Sequence, residues 1–160
     1  MTCECGYEAN FENCCGRFLG GEHTPETAVE LMRSRFVAFG LGDFDYIEQT
    51  QIEPLPPEVR QRQAPEWEKL EIVSEHDGGP GHETGVVEFV AYYKLAHGPR
   101  LHRESSRFIR VNGEWRYLDG DIVDEDNNEV ATTKISPTQP CPCGSGRKFG
   151  RCCGLTFPKD

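Results

Sequence analysis

Apolar residues first recur at helical spacing after residue 24, where Val29, Met32, Phe36 and Phe39 fall three or four apart and form one stripe. Thr24-Pro25-Glu26 supplies a start: a capping hydroxyl, a proline whose fixed φ suits the first helical position, and an acid that favours the helix dipole. Gly40 and Gly42 supply the stop. A second short helix follows Asp43 and carries Phe44 and Ile47, and a third runs through Pro57 to Arg62, in a stretch whose prolines keep it from being strand. From about Trp67 the period changes to two. Leu70 and Ile72, then Val87, Phe89, Ala91, Tyr93 and Leu95, alternate as half-buried strands do. Leu101 to Val111 and Glu114 to Asp119 continue the sheet, joined at Asn112-Gly113, the signature of a two-residue type I′ turn. Helices first and strands after predict an α+β domain, with helices packed on one face of an antiparallel sheet.

A chain of 160 residues holds one ordinary core with appendages. The central domain is expected over residues 21–135, between small terminal units at 1–20 and 136–160. Gly16 to His23 and Asp126 to Pro140 read as linkers or docked arms, since they carry glycine, proline and small polar residues without apolar periodicity.

All eight cysteines lie in the terminal units, and each group reads Cys-x-Cys, eight residues, Cys-Cys. Laying Cys3 to Gly16 over Cys141 to Gly154 aligns Cys3, Cys5, Gly6, Phe11, Cys14, Cys15 and Gly16 with Cys141, Cys143, Gly144, Phe149, Cys152, Cys153 and Gly154. An internal repeat built on four thiols predicts a tetrahedral site, in which two close-spaced pairs converge once the intervening segment folds back. The expected cofactor is zinc, two structural ions, held by Cys3, Cys5, Cys14 and Cys15 and by Cys141, Cys143, Cys152 and Cys153. Gly6 and Gly144 stand where a ligand-bearing turn needs positive φ, and Phe11 and Phe149 are placed to cover the metal. Disulfides are permitted by the even count, but the opening Met1-Thr2-Cys3-Glu4-Cys5 lacks the flank and apolar segment of a secretory signal. Cytoplasmic location is therefore expected. A redox dithiol has no Cys-x-x-Cys to support it.

A net charge of −10 repels a phosphate backbone over most of the surface, so no extended nucleic-acid surface is expected. No stretch is long and apolar enough to span a membrane. Charge is unevenly placed: Arg147, Lys148, Arg151 and Lys159 crowd the C-terminal cysteines, whereas Glu4, Glu8 and Glu12 surround the N-terminal ones.

The C-terminal string Cys141-Pro142-Cys143-Gly144-Ser145-Gly146-Arg147-Lys148-Phe149-Gly150-Arg151-Cys152-Cys153-Gly154 resembles the SEC-C motif found at the tail of the SecA preprotein translocase ATPase. The N-terminal copy departs from it, with Tyr7 and Glu8 where the motif has Ser and Gly. The whole arrangement is one knuckle, then Leu31-Met32-Arg33-Ser34-Arg35-Phe36, Ser105-Ser106-Arg107-Phe108 and Trp115-Arg116-Tyr117-Leu118-Asp119-Gly120, then a second knuckle; it resembles the YchJ family of bacterial proteins. That resemblance implies the cone-shaped fold of nuclear transport factor two and the ketosteroid isomerases for the central domain. Resemblance to the translocase tail implies a partner, an acidic chaperone or the ribosome, bound through Arg147, Lys148 and Arg151.

A strict two-residue hairpin makes Ser106 face Asp119 and Glu104 face Asp121, and puts Glu104, Ser106, Tyr117 and Asp119 on one sheet face as candidate pocket residues. Arg33 and Arg35 lie two apart on the first helix and point to different sides, either being placed to pair with Glu104 or Asp119. The five histidines, His23, His76, His82, His97 and His102, sit in places that read as loops, with Glu75 to Glu83 as a further metal-binding candidate. The leading expectation is a non-enzymatic zinc protein whose basic knuckle contacts a protein or the ribosome. The rival is a cone-fold enzyme or small-ligand-binding protein with a pocket in the central domain.

Overall fold

The computed structural model describes residues 2–124, 126, 128–130 and 132–158; Lys159 lies outside the described residues. Four helices, α1 (Cys15–Leu19), α2 (Ala28–Leu41), α3 (Phe44–Gln49) and α4 (Pro57–Arg60), precede five strands, β1 (Glu66–Asp77), β2 (Thr84–Leu95), β3 (Gly98–Val111), β4 (Glu114–Val123) and β5 (Glu129–Val130). The strands pair in chain order as one antiparallel meander. This is the expected α+β architecture, with α2 laid across one face of the sheet and α3 packed on α2.

Helix α2 begins later than Thr24-Pro25-Glu26 implies. Thr27 is the N-cap: its Oγ1 accepts from the Glu30 N–H at 3.1 Å and donates to Glu30 Oε1 at 3.3 Å. The helix also runs through Gly40 and stops at Gly42, whose φ of 72° is the left-handed value glycine tolerates. Gly40 serves packing instead: a Cβ there would stand 2.8 Å from Cδ1 of Trp67, which stacks on Phe36 with ring centroids 4.7 Å apart. The burial of α2 is wider than the stripe Val29-Met32-Phe36-Phe39, because Leu31, Ser34, Arg35, Val37 and Ala38 are buried too. The helix is clasped between the sheet on one side and α3 with the N-terminal unit on the other. Asp43 caps α3 by accepting from the Tyr46 N–H.

Asn112 and Gly113 have φ values of 53° and 81°, the left-handed pair that a type I′ turn requires. Beyond the turn, register departs from strict alternation. Arg110 pairs Trp115 and Phe108 pairs Tyr117, but Arg107 then pairs Asp119, Ser106 pairs Gly120 and Glu104 pairs Ile122. Leu118 is the extra residue of a β-bulge, which bends the strand and turns every later side chain of β4 to the opposite face.

The terminal units are docked arms. Cys3, Cys5, Cys14, Cys15 and Phe18 belong to the same buried cluster as Leu31, Phe36, Ile47, Phe108 and Trp115. The Arg33 Nη1 donates to the Cys5 carbonyl at 2.6 Å and so pins this unit to α2, which removes Arg33 from the pocket. On the other face of the sheet, Ile109 and Leu118 pack with Cys141, Phe149, Cys153 and Phe157. The connecting arm runs along β4: Thr132 Oγ1 donates to the Gly120 carbonyl, Lys134 Nζ pairs Asp121 and the Ile135 N–H donates to Asp119.

Candidate functional site

Two four-sulfur groups form where the repeat predicts them. In Cys3-Cys5-Cys14-Cys15 and in Cys141-Cys143-Cys152-Cys153, all Sγ atoms lie within 4.8 Å of one another. The sulfurs of Cys5 and Cys14 are 3.5 Å apart, those of Cys14 and Cys15 3.9 Å, and those of Cys143 and Cys152 3.6 Å. A tetrahedron of sulfurs ~2.3 Å from a central zinc has edges of ~3.8 Å, so donor type and spacing are both compatible with that ion. Each group could hold one metal. None of the eight cysteines is in a disulfide. Within each group the sulfurs share protons: hydrogen bonding, chiefly from Cys15, lowers Cys5 to about 5 despite burial, and the Ser145 hydroxyl at 3.2 Å lowers Cys152 to about 6, whereas burial and these neighbours raise Cys14, Cys15, Cys141 and Cys153.

The two units are near-copies in backbone as well as sequence. The Cys3 N–H donates to Ala9 and the Cys141 N–H to Arg147; the Gly6 N–H donates to Cys3 and the Gly144 N–H to Cys141; the Cys14 N–H donates to Phe11 and the Cys152 N–H to Phe149. Gly6 and Gly144 have φ of 89° and 85°, so both turns need glycine. Gly16 and Gly154 lie under the rings of Phe11 and Phe149, where a Cβ would meet ring carbon at 3.0 Å. The phenylalanines differ in surroundings. Phe11 is an exposed lid on its own unit, whereas Phe149 is buried against the sheet and anchors the docked C-terminal unit.

A cavity of about 440 Å³ lies between the helices and the inner sheet face, within the ~300–1,000 Å³ range of small-molecule sites. Its walls are Met32, Phe36 and Phe39 from α2, Trp67 from β1, Phe89, Ala91 and Tyr93 from β2, and Phe108 from β3. Its polar end is built by alternate residues of β3, His102, Glu104 and Ser106, with Tyr117 beside them on β4 and Arg35 opposite on α2. Glu104 is 7% exposed and accepts three hydrogen bonds: from His102 Nε2 at 3.0 Å, Ser106 Oγ at 2.5 Å and Tyr117 Oη at 2.8 Å. Burial pushes its pKa up, but His102, Ser106 and Tyr117 together outweigh burial and hold it below the usual carboxylate value. Burial and the neighbouring carboxylate push Tyr117 up, so its hydroxyl keeps its proton and donates. Gly120 makes room for this cluster, because a Cβ there would collide with the Glu104 carboxylate.

Of the four residues expected in the pocket, Glu104, Ser106 and Tyr117 line the cavity and Asp119 does not. The bulge at Leu118 turns Asp119 to the outer face, where its carboxylate takes a two-pronged ion pair from Arg107 at 2.6 and 2.7 Å. That guanidinium lies over Phe149 and Phe157 of the C-terminal unit, at 5.3 and 4.8 Å from the ring centroids. Asp119 is therefore a docking residue. His102 was expected in a loop and is instead a strand residue, on the same side of β3 as Glu104 and Ser106. Arg35, expected to pair with Glu104 or Asp119, donates to the Ile47 carbonyl, Thr50 Oγ1 and Gln51 Oε1. Between Glu75 at the end of β1 and Glu83 before β2, His76 and His82 each approach Asp77 at 3.6 Å, and His82 Nδ1 accepts the Gly79 N–H. Arg147, Lys148 and Arg151 are exposed on the C-terminal unit.

Chemically, the polar end presents an ionised carboxylate saturated with donors and an imidazole oriented by it. With Nε2–H given to Glu104, Nδ1 of His102 is the nitrogen left to accept a proton or hydrogen bond.

The family model described as "YchJ, middle NTF2-like domain" matches residues 27–120, and the SEC-C motif model matches residues 138–155. A UPF0225 protein of Geobacter sulfurreducens is 35% identical over 158 residues, covering 95% of this chain and 97% of that one. Another from Streptomyces coelicolor is 43% identical over 123 residues, covering 76% and 96%. The chain is also similar to the crystal structure of a SEC-C motif containing protein from Psychrobacter arcticus, with 27% identity, a TM-score of 0.66 and coverage of 98% and 97%. It resembles the solution structure of a SEC-C motif containing protein from Rhodopseudomonas palustris, with 30% identity, a TM-score of 0.63 and coverage of 78% and 100%. Two four-cysteine knuckles clasping a cone-shaped domain, matched almost end to end by such relatives, make this chain a member of the YchJ family, with an NTF2-like middle domain and a C-terminal SEC-C motif.

Proposed function

We propose that this protein binds a small, largely apolar molecule in its central cavity and uses two structural zinc ions to hold its ends onto the cavity-forming domain. The cavity itself carries the reading: aromatic walls, a volume suited to a small molecule, and one polar end where His102, Glu104, Ser106 and Tyr117 converge. Zinc has a clear physical role here. Neither knuckle has a core of its own, and a tetrathiolate ion supplies the ~10–16 kcal/mol that folds such a unit. When bound, the ions cross-link thiolates, while this chain's residues do the recognition. The apolar walls exclude water, and the polar end, to which both His102 and Arg35 contribute, meets the ligand's polar group.

The test is a fragment screen by NMR on zinc-loaded protein. Saturable shifts should appear at the rings of Trp67, Phe89, Tyr93 and Phe108 and at His102, and Ala91→Phe, which fills the cavity, should abolish them. A screen of small aromatic fragments that leaves those rings unmoved counts against the reading.

A second reading is favoured by a separate feature. Arg147, Lys148 and Arg151 stand exposed on a stiff unit, and no ion pair among the described residues includes them. A preordered cationic face loses little conformational entropy on docking to an acidic surface, such as an acidic chaperone or the ribosome. Changing all three to Glu should abolish co-sedimentation with ribosomes or capture by an acidic chaperone; unaltered association with both contradicts it. In this reading a reducing cytoplasm keeps the thiols available for metal. Among the described residues, no helix is long and apolar enough to cross a membrane.

A further inference from the structure

Arg35 is the cavity group whose chemistry the proposed function has not absorbed. It is 6% exposed and carries five N–H donors. Nη1 donates to the Ile47 carbonyl at 2.9 Å and Thr50 Oγ1 at 2.8 Å, and Nη2 donates to Gln51 Oε1 at 3.0 Å. These bonds staple α2 to the end of α3 and account for the Nη1 edge. They leave Nε–H and one N–H of Nη2 without an acceptor among the described residues. Arg35 lines the cavity, and its partnerless Nε is not sealed as Trp67 Nε1 is among those residues.

No carboxylate pairs directly with the guanidinium either. All three acceptors are neutral, and none of the ion pairs among the described residues includes Arg35. Glu104 shares the cavity, but its two oxygens are taken by His102, Ser106 and Tyr117. The guanidinium instead stacks on Tyr117, 4.8 Å from the ring centroid, and lies 5.8 Å from that of Phe39. Burial lowers Arg35 to about 10, a penalty only partly offset by Tyr117, Glu104 and Tyr46, none of which forms a direct ion pair with it.

We infer that the cavity takes a small aromatic or aliphatic carboxylic acid, its carboxylate docked on the Nε and Nη2 edge of Arg35 and its apolar body against Phe36, Trp67, Phe89 and Phe108. The inference rests on the reading of the cavity as a ligand site and adds the class of ligand. A guanidinium fork matches a carboxylate in two parallel hydrogen bonds, and one negative charge completes Arg35. A phosphate monoester brings two charges into a cavity that already holds ionised Glu104, and the other arginine of the lining, Arg62, is exposed at the rim. A monoanion is the better match.

The experiment compares 1-naphthylacetate with 1-naphthylacetamide, alike in shape and different in charge, by calorimetric titration of the zinc-loaded full chain. The acid is expected to bind about 10- to 100-fold more tightly, the range for hydrogen bonds to a charged group. In Arg35→Lys, which keeps the charge but loses the fork, the acid should weaken about tenfold while the amide stays within about twofold. Equal affinity of acid and amide, or an acid preference untouched by Arg35→Lys, overturns the assignment to Arg35 and leaves the cavity reading standing. If neither compound binds, and the Trp67 and Phe108 resonances do not move, the cavity reading falls and the inference with it.

Discussion

Removing Arg107 tests how the C-terminal knuckle is held. In Arg107→Ala, Asp119, 5% exposed in the intact protein, keeps the Ile135 N–H as its remaining donor, and the rings of Phe149 and Phe157 lose the cation that lies over both. Stripping one partner from a buried pair costs about 3–5 kcal/mol, because the other charge is left uncompensated. The Arg107 side chain is 18% exposed, so water can enter the space it leaves, which argues for the lower half, about 3–4 kcal/mol. At about 2–4 °C per kcal/mol for a chain of this size, the melting temperature of zinc-loaded protein should fall by about 6–16 °C. Calorimetry reads the total, and amide hydrogen exchange reads its location. The Phe149 and Gly150 N–H groups, bonded to the Gln139 and Pro137 carbonyls, should exchange at least about tenfold faster, while amides of β2 barely change. Replacing the pair together, Arg107→Met with Asp119→Leu, should recover most of the loss, since two apolar groups leave no charge stranded. A loss under about 1 kcal/mol with unaltered exchange at Phe149 would refute the claim that this pair fastens the knuckle.

Glu104→Gln puts an amide where three donors converge and should cost about 1–3 kcal/mol at pH 7 by denaturant unfolding. Because the folded pKa of Glu104 lies below the unfolded value of about 4.3, its contribution is complete above that value and is lost as pH falls through the folded one; the Gln variant should lack that part of the acid limb, and parallel curves would contradict it. Gly120→Ala forces a methyl into the Glu104 carboxylate and should destabilise by about 1–3 kcal/mol while moving the His102 resonances; a silent substitution would show that the cluster yields freely. A zinc chelator should raise exchange throughout residues 2–19 and 140–157 before the sheet opens, and simultaneous loss of the sheet would mean that the knuckles and domain fold as one unit.

What could be read from residues alone is what local chemistry dictates. Four thiols at fixed spacing specify their own geometry, and Asn112-Gly113 specifies its turn. The bulge at Leu118 left a fainter mark: Tyr117 and Leu118 are consecutive apolar residues that interrupt the alternation begun at Glu114, and the glycine at 120 stands opposite Ser106. Assuming strict alternation there sent Asp119 to the wrong face. His102 and Arg35 carried recoverable signals. His102 is two residues before Glu104 on one strand, and Arg35 lies three residues after Met32 and four before Phe39, so it shares their side of α2. Arg35 reads in sequence as an ion-pair partner and His102 as a loop residue, since neither spacing by itself shows a cavity. The docking of the knuckles was not legible, since it depends on Arg33, Arg107, Phe149 and Phe157 meeting partners far away in the chain.

The account depends most on metal-thiolate closure at both ends of the chain, and native mass spectrometry of protein prepared without chelator tests it most directly. It predicts one species carrying two zinc ions per chain, one for each four-cysteine group, with the thiol protons displaced. A metal-free chain whose mass is reduced by disulfide formation, or a single ion per chain, would contradict it.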